Sequence, residues 1–314
     1  MTVLVTGATG YLGRHLVARL RDDGFGVRAL VRDASAGLPD DVDRHVLDLS
    51  APGMALLAAV DGVRAIVNAA AHLDGGDRST YGRVNVEGTA ALLAAAAAAG
   101  VRRIVHLSSI TVYGRKAAGS VVAAADGYDP CPALRDAYAW SKLEGDRWAE
   151  CWRQTGHLDL VTLRPAIIHG RERRFVARIW RPVGRGVRVV AGSPGMLLPL
   201  VHVDDVVEAI VRALQRPGGE TGPLTLVGPD APTQAEWLAR REDGVRTLYV
   251  PTGAARRLAG WQAARALDGR ASGTRRAYQL AWATQSVRYD RSACTAELGW
   301  APRIPSTETA QRAA

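Results

Sequence analysis

Short apolar runs alternate with longer amphipathic stretches through the first half of the chain. Thr2–Thr6 is rich in β-formers. A glycine-rich link leads from it into Tyr11–Asp22, whose apolar positions recur at helical spacing until Gly24 and Gly26 break them. Val27–Val31 and Val42–Leu47 read as the second and third strands, the latter closed by Asp48-Leu49. Met54–Val60 reads as a short helix, Ala65–Asn68 as a strand, Tyr81–Ala99 as a helix ended by Gly100, and Arg103–Leu107 as a fifth strand. Arg115–Ala133 reads as a loop, Ala137–Thr155 as a helix and Asp159–Leu163 as a sixth strand. This alternation predicts an α/β fold with a doubly wound parallel sheet.

After Gly170 the pattern loosens. Arg171–Gly186 reads as an arginine-heavy helix, Val187–Val190 and Leu200–Val203 as short strands, Val206–Gln215 as a helix and Leu224–Val227 as a further strand. The predicted division is a nucleotide-binding domain over 1–170, with 200–228 returning to it. A smaller substrate-binding lobe takes 171–199 and 229–314. No internal repeat is visible.

The net charge of +9 favours anionic ligands such as a phosphorylated cofactor. The arginines are scattered with no aromatic-basic stripe, so nucleic acid is not an expected partner. Cys131, Cys151 and Cys294 form neither a disulfide framework nor a zinc pattern, and no metal site is expected. That usage fits a reducing cytoplasm. No cleavable leader is apparent, and no apolar run reaches the roughly 20 residues that cross a bilayer.

Gly7-Ala8-Thr9-Gly10-Tyr11-Leu12-Gly13 follows a predicted strand and opens a predicted helix. Small residues there let the backbone approach a pyrophosphate, and the helix N-terminus offers free N–H groups and positive partial charge. The end of the second strand distinguishes NAD from NADP. An acid there would bond the adenosine ribose, whereas an arginine accommodates a 2′-phosphate. Arg32 occupies that place, with Asp33 after it. The expected cofactor is NADP, with NAD as the alternative.

Of forty basic residues only Lys116 and Lys142 are lysine. Lys142 closes Tyr138-Ala139-Trp140-Ser141-Lys142. On a helix, residues four apart share a face, so a phenol and an ammonium point at one spot. A compact ammonium with a shiftable pKa differs chemically from a guanidinium.

These segments, taken in order, resemble an extended short-chain dehydrogenase/reductase of the epimerase/dehydratase type. The resemblance rests on Thr6–Gly13, Asp48-Leu49, Asn68-Ala69-Ala70-Ala71, Asn85-Val86-Glu87-Gly88-Thr89, Leu107–Gly114, Tyr138–Lys142, Leu163-Arg164-Pro165, Val201–Val206 and Leu298–Pro302. It implies a Rossmann-type sheet and a homodimer built on the helices from Tyr81 and Ala137. It implies Tyr138 as general acid or base and Lys142 as the group that favours its phenolate and holds the nicotinamide ribose. Ser109 is the implied donor to the substrate oxygen, with Ser108 as the alternative. Asn85 supports a proton relay or caps its helix. Gly7, Thr9, Gly10, Tyr11, Leu12 and Gly13 would cradle the pyrophosphate. Asp48 and Leu49 would flank adenine, and Ala69, Ala70 and Ala71 would line the groove. Pro165, Ile167 and Ile168 would pass the nicotinamide. Thr111 and His169 are candidate substrate contacts; His169 stands where a tyrosine is frequent and reads equally as a packed histidine. Asp204 and Asp205 would fix a loop and a helix start, His202 reads as structural, and Tyr113 as structural or a pocket wall.

Two departures narrow the reaction. Sugar-nucleotide dehydratases place Asp-Glu after the catalytic threonine. Here Ile110 and Thr111 stand there, and neither serves as an acid/base pair. Many sugar-nucleotide members hold the diphosphate with an arginine where this chain has Leu198. Arg173, Arg174 and Arg181 offer a replacement. With Trp180, Trp237, Trp261 and Trp282, Leu198 points to a fairly apolar pocket, although each tryptophan also suits a lobe core. The expected activity is reduction of a ketone, or oxidation of a secondary alcohol, on a non-nucleotide secondary-metabolite or steroid-like molecule. The alternatives are a nucleotide-sugar 4-epimerase or 4-ketoreductase, and a non-catalytic NADP-binding sensor.

Overall fold

The computed structural model describes residues 1–35, 37–73, 75–171, 180–182, 186–219, 221–240, 244–251, 253–254, 257 and 278–310. Its centre is a seven-stranded, wholly parallel sheet. β1 (Thr2–Thr6), β2 (Gly26–Val31), β3 (Asp43–Val46), β4 (Ala65–Asn68), β5 (Arg103–Leu107) and β7 (Asp159–Pro165) are joined by β12 (Leu224–Leu226). Their spatial order is β3-β2-β1-β4-β5-β7-β12. The order reverses at β1, and ligands of such sheets bind at the strand C-termini beside that switch.

Alternate side chains along each strand feed two cores, as expected of a parallel sheet covered on both faces. Val3, Val5, Val67 and Val105 pack under α1 (Tyr11–Asp22) and α6 (Val203–Gln215). Leu4, Ile66, Ile104 and Leu160 pack under α2 (Ala55–Val60) and α4 (Thr89–Ala98). Residue 224–226 pairing brings the chain back to the main sheet after its excursion.

The segment read as one helix from Tyr81 is α3 (Arg78–Gly82), a wide π-helical turn over Arg83–Gly88, and then α4. The loop before α5 (Ala137–Gln154) contains β6 (Val121–Val122), which pairs with β14 (Arg288–Tyr289). The predicted helix over Arg171–Gly186 is corrected at Trp180–Pro182, which form β9. This strand pairs antiparallel with β10 (Val187–Ala191), and β10 also pairs with β13 (Arg246–Val250). Residues 172–179 and 183–185 of that prediction, including Arg173 and Arg174, lie outside the described residues, as does Trp261. β8 (Ile167–His169) pairs with β11 (Leu200–His202), not with the main sheet. No described helix is long and apolar enough to cross a membrane.

Candidate active site

The glycine loop joins β1 to α1. Gly7 has φ +67°, and a Cβ there would lie 2.8 Å from the Ala69 carbonyl oxygen. A Cβ on Gly13 would lie within 2.8 Å of three Gly7 and Ala8 backbone atoms, so helix and strand touch without a side chain between them. Gly10 is the N-cap of α1, which has no side-chain cap and no acid in its first turn. The orphan N–H groups and positive helix end therefore remain suited to an anion. This cradle fits a dinucleotide pyrophosphate. Tyr11 turns its hydroxyl onto Gly170 and its ring onto His15, 5.3 Å away.

At the far end of the groove Arg32 is exposed at the tip of β2. Asp33 turns back on its own loop, where its Oδ1 accepts the Ser35 N–H at 2.9 Å. Asp48 accepts the Ser50 N–H at 2.8 Å. That bond holds its carboxyl below the usual range, and the charges of Arg32 and Arg83 add to the effect. Arg32, Arg83 and Asp48 thus lie close enough to interact at this end of the sheet.

Between them runs a chain of buried polar groups. Thr6 Oγ1 donates to Asn68 Oδ1 at 2.8 Å and accepts the Ala70 N–H at 3.0 Å. Asn68 Nδ2 lies 3.2 Å from both Thr89 Oγ1 and His106 Nδ1. Burial, with Lys142 nearby, pushes the His106 imidazole down to about 3, so it is neutral at physiological pH. Ala69, Ala70 and Ala71 follow Asn68 at the β4 end, all half-buried.

Asp136 caps α5, its side chain accepting the Ala139 N–H at 2.9 Å. Tyr138, Lys142 and Asp146 then share one face of the helix. Tyr138 is half-buried with its ring 6.3 Å from that of Tyr81. Lys142 is buried and donates to the Leu107 carbonyl, immediately before Ser108 and Ser109. Burial pushes the ammonium down to about 8, against the pull of Asp146. Asp146 receives two hydrogen bonds from Arg164, at 3.0 and 2.9 Å, and one from Tyr128 at 2.8 Å. Burial raises its pKa, but Arg164 outweighs that and holds the carboxylate low.

Ser109 caps a turn over Ile110–Val112, its Oγ accepting the Thr111 N–H at 3.2 Å. Ser108 is buried as well, and its hydroxyl has no hydrogen-bond partner among the described residues. The Thr111 hydroxyl is enclosed with no hydrogen-bond partner among the described residues. Asn85 accepts the His72 N–H at 2.7 Å and donates to Ser141 Oγ at 2.9 Å. It therefore ties the wide turn to the helix that carries Tyr138. Pro165 ends β7, while Ile167 and Ile168 are half-buried in β8. His169 is buried, its ring against those of His202 and Trp237 at 5.2 and 5.8 Å. Burial, with His202 beside it, pushes this imidazole down to about 4.

The sequence placed Asp204 and Asp205 at a helix start, and both lie in the first turn of α6. The cap itself is His202, whose Nδ1 accepts the Asp204 N–H at 3.2 Å. Tyr113 is fully buried, its hydroxyl 2.6 Å from Thr225 Oγ1. Leu198 is 3 % exposed and packs with Val190, Met196, Leu200, Trp237 and Leu238. Sequence reasoning missed Arg135, which is enclosed and donates to the Thr111 carbonyl at 2.8 Å. Its signal was an arginine three residues before the Tyr-Lys pair, masked by the abundance of arginine.

Residues 3–227 match the model of the NAD dependent epimerase/dehydratase family. The chain belongs to that family. It is 32 % identical over 291 residues to a 3-diazoavenalumate denitrifying reductase of a Streptomyces species, covering 83 % of this chain and 88 % of that one. It is 30 % identical over 312 residues to a UDP-glucose 4-epimerase of Mycolicibacterium smegmatis, covering 83 % and 93 %. MoeE5, solved with UDP-glucuronic acid and NAD, shares the fold at a TM-score of 0.74 and 26 % identity, over 99 % of this chain and 96 % of that one. Like other members of the family, this chain is an NAD(P)-dependent enzyme of the short-chain dehydrogenase/reductase type.

Proposed function

We propose that this family member is an NADP-dependent oxidoreductase acting on a ketone or secondary alcohol of a fairly apolar, non-nucleotide small molecule. The observation that carries the substrate class is Leu198. An arginine at that position would be a cation among Val190, Met196, Leu200 and Trp237, and an unpaired buried charge is strongly unfavourable. Similarity to a denitrifying reductase supports the same direction. Arg32 supports NADP, because the neighbouring Asp33 is already engaged by Ser35.

Bound NADPH supplies the hydride, and NADP⁺ accepts it in the reverse direction. Tyr138 protonates the carbonyl oxygen in reduction and deprotonates the alcohol in oxidation. A phenol is poorly matched to neutral pH, and the adjacent Lys142 ammonium favours its ionised form. Ser109 Oγ donates a hydrogen bond to the same substrate oxygen. Asn85, through Ser141, keeps Tyr138 and its helix in place. Gly7, Gly10 and Gly13 hold the pyrophosphate, and Lys142 holds the nicotinamide ribose. Pairing of two copies through α3–α4 and α5 is proposed as well, since Trp148 of α5 is 46 % exposed.

The test titrates NADPH and NADH, then screens carbonyl compounds by loss of absorbance near 340 nm. Turnover with apolar ketones that vanishes in Tyr138→Phe is expected. The second reading, a nucleotide-sugar 4-epimerase or 4-ketoreductase, draws on the M. smegmatis relative. Tight binding of a uridine diphosphate sugar would favour it over the first.

A further inference from the structure

The turn that carries Ser109 is fastened by three donors, two from the loop before α5 and one from the C-terminal segment. Arg135 Nη2 donates to the Thr111 carbonyl at 2.8 Å, the Asp129 N–H to the Val112 carbonyl at 2.8 Å, and Trp282 Nε1 to the Tyr113 carbonyl at 2.9 Å. Three successive carbonyls are thereby occupied. The two side-chain donors also touch each other, the Arg135 guanidinium lying 4.2 Å from the Trp282 ring centre.

Arg135 is nearly sealed, its side chain 1 % exposed. Its charge is balanced by Asp129 at 3.4 Å, and Asp129 Oδ1 also accepts the Cys131 N–H and the Tyr278 hydroxyl, at 2.8 and 2.6 Å. Its Nε and Nη1 make no hydrogen bond among the described residues. Enclosing a guanidinium so incompletely satisfied is costly, and a neutral side chain would close the space with less penalty. What the arginine adds is a rigid planar span. One end is Arg135 itself, three residues before Tyr138. The other is the Thr111 carbonyl, two residues after Ser109.

We propose that Arg135 and Trp282 are positioning residues that together set the Ser109 hydroxyl against the Tyr138 phenol, making the seating of residues 278–283 a condition of turnover. The proposal rests on the reading of Ser109 and Tyr138 as the reacting pair. The indole N–H reaches the serine turn from the C-terminal segment, and its ring shields the guanidinium that joins the turn to α5. Loss of either donor frees a carbonyl and lets Ser109 drift. Displacements of about 1 Å at such a centre cost on the order of a hundredfold in rate.

Trp282→Phe keeps an aromatic face over Arg135 and removes only the N–H. Arg135→Lys keeps the charge and removes the span. Each is assayed by NADPH oxidation with the ketone that turns over fastest in the carbonyl screen, in the Ser109 and Ser109→Ala backgrounds. The expected result is a kcat about tenfold lower with KM for NADPH within about twofold. In Ser109→Ala the same change should have almost no further effect, because it acts through that serine. Wild-type kcat in both variants, or an equal loss in the two backgrounds, overturns the proposal. Amide hydrogen exchange of residues 109–113 with NADPH bound repeats the comparison without a ketone. Exchange roughly tenfold faster in Trp282→Phe is expected, and unchanged exchange also overturns it. Full turnover by Tyr138→Phe would remove the underlying reading, whereas loss there with an indifferent Trp282→Phe would remove only this inference.

Discussion

Asp146 lies one helical turn beyond Lys142 on the same buried face of α5. Its carboxylate, held ionised by Arg164, is the counter-charge that burial of the ammonium demands. Asp146→Asn removes that charge and should lower the pH at which Lys142 loses its proton. The alkaline limb of the pH–rate profile is expected to move down by about one unit. Profiles of NADPH oxidation for wild type and variant check this, and coincident limbs would contradict it.

Lys142 also leaves a signature in stability. Its folded pKa, about 8, is below the ordinary 10.5, so the unfolded chain binds more protons between those values. Stability from this group therefore rises as pH climbs through that window, and the burden is fullest below it. A shift of this size is on the order of 3 kcal/mol. Lys142→Met should melt higher than wild type at pH 7, with the gap closing as pH approaches 10.5. Thermal melts at several pH values decide it.

The cofactor preference turns on one side chain. Arg32→Ala should weaken NADPH about tenfold or more, since charge-assisted bonds to phosphate are among the stronger ones. NADH binding should stay within about twofold, because NADH has no 2′-phosphate. Fluorescence titration of the two reduced cofactors measures both. Equal weakening would place Arg32 elsewhere in the site.

The two serines at the end of β5 should separate cleanly. Ser109→Ala is expected to lower kcat/KM about a hundredfold, the usual scale for losing one donor to a developing charge. Ser108→Ala should cost less than about tenfold, since Ser109 and not Ser108 is proposed to meet the substrate oxygen. The reverse ranking would exchange their roles.

Asp205 ties α6 to the C-terminal segment. Its two carboxylate oxygens accept the Arg303 and Ile304 N–H groups, each at 3.0 Å, and its backbone carbonyl accepts Trp300 Nε1 at 2.9 Å. Asp205→Ala strands two amide donors and should cost about 2 kcal/mol of stability. Chemical denaturation of the apoprotein reads it.

Local signals made much of this legible. The glycines between β1 and α1, the Tyr138–Lys142 spacing and the strand-helix alternation are short-range patterns, and they were enough to predict a doubly wound parallel sheet, though not the order of its strands. Other features depend on distant partners. Nothing near Arg135 announces that Trp282, 147 positions later, will cover it. Leu198 was informative as a missing arginine, but its place in a packed cluster needed Val190 and Trp237 from other elements. The arginine-heavy stretch after Gly170 misled because arginine favours helices by propensity, while β10 recruited Trp180–Pro182 as a strand. His202 was read as structural, but its capping of α6 requires the backbone angle that only the fold displays.

The wide turn at Arg83–Gly88 has a consequence for how this enzyme can vary. A π-helical turn holds one residue more than an α-helical turn needs. Deleting a single residue there would let α3 and α4 run on as one regular helix, and everything on one side would swing by about 100° relative to the other. Asn85 would leave Ser141, and α5 would lose its strut. Length in this segment is therefore a setting, and a homologue one residue shorter must anchor its tyrosine helix by some other means.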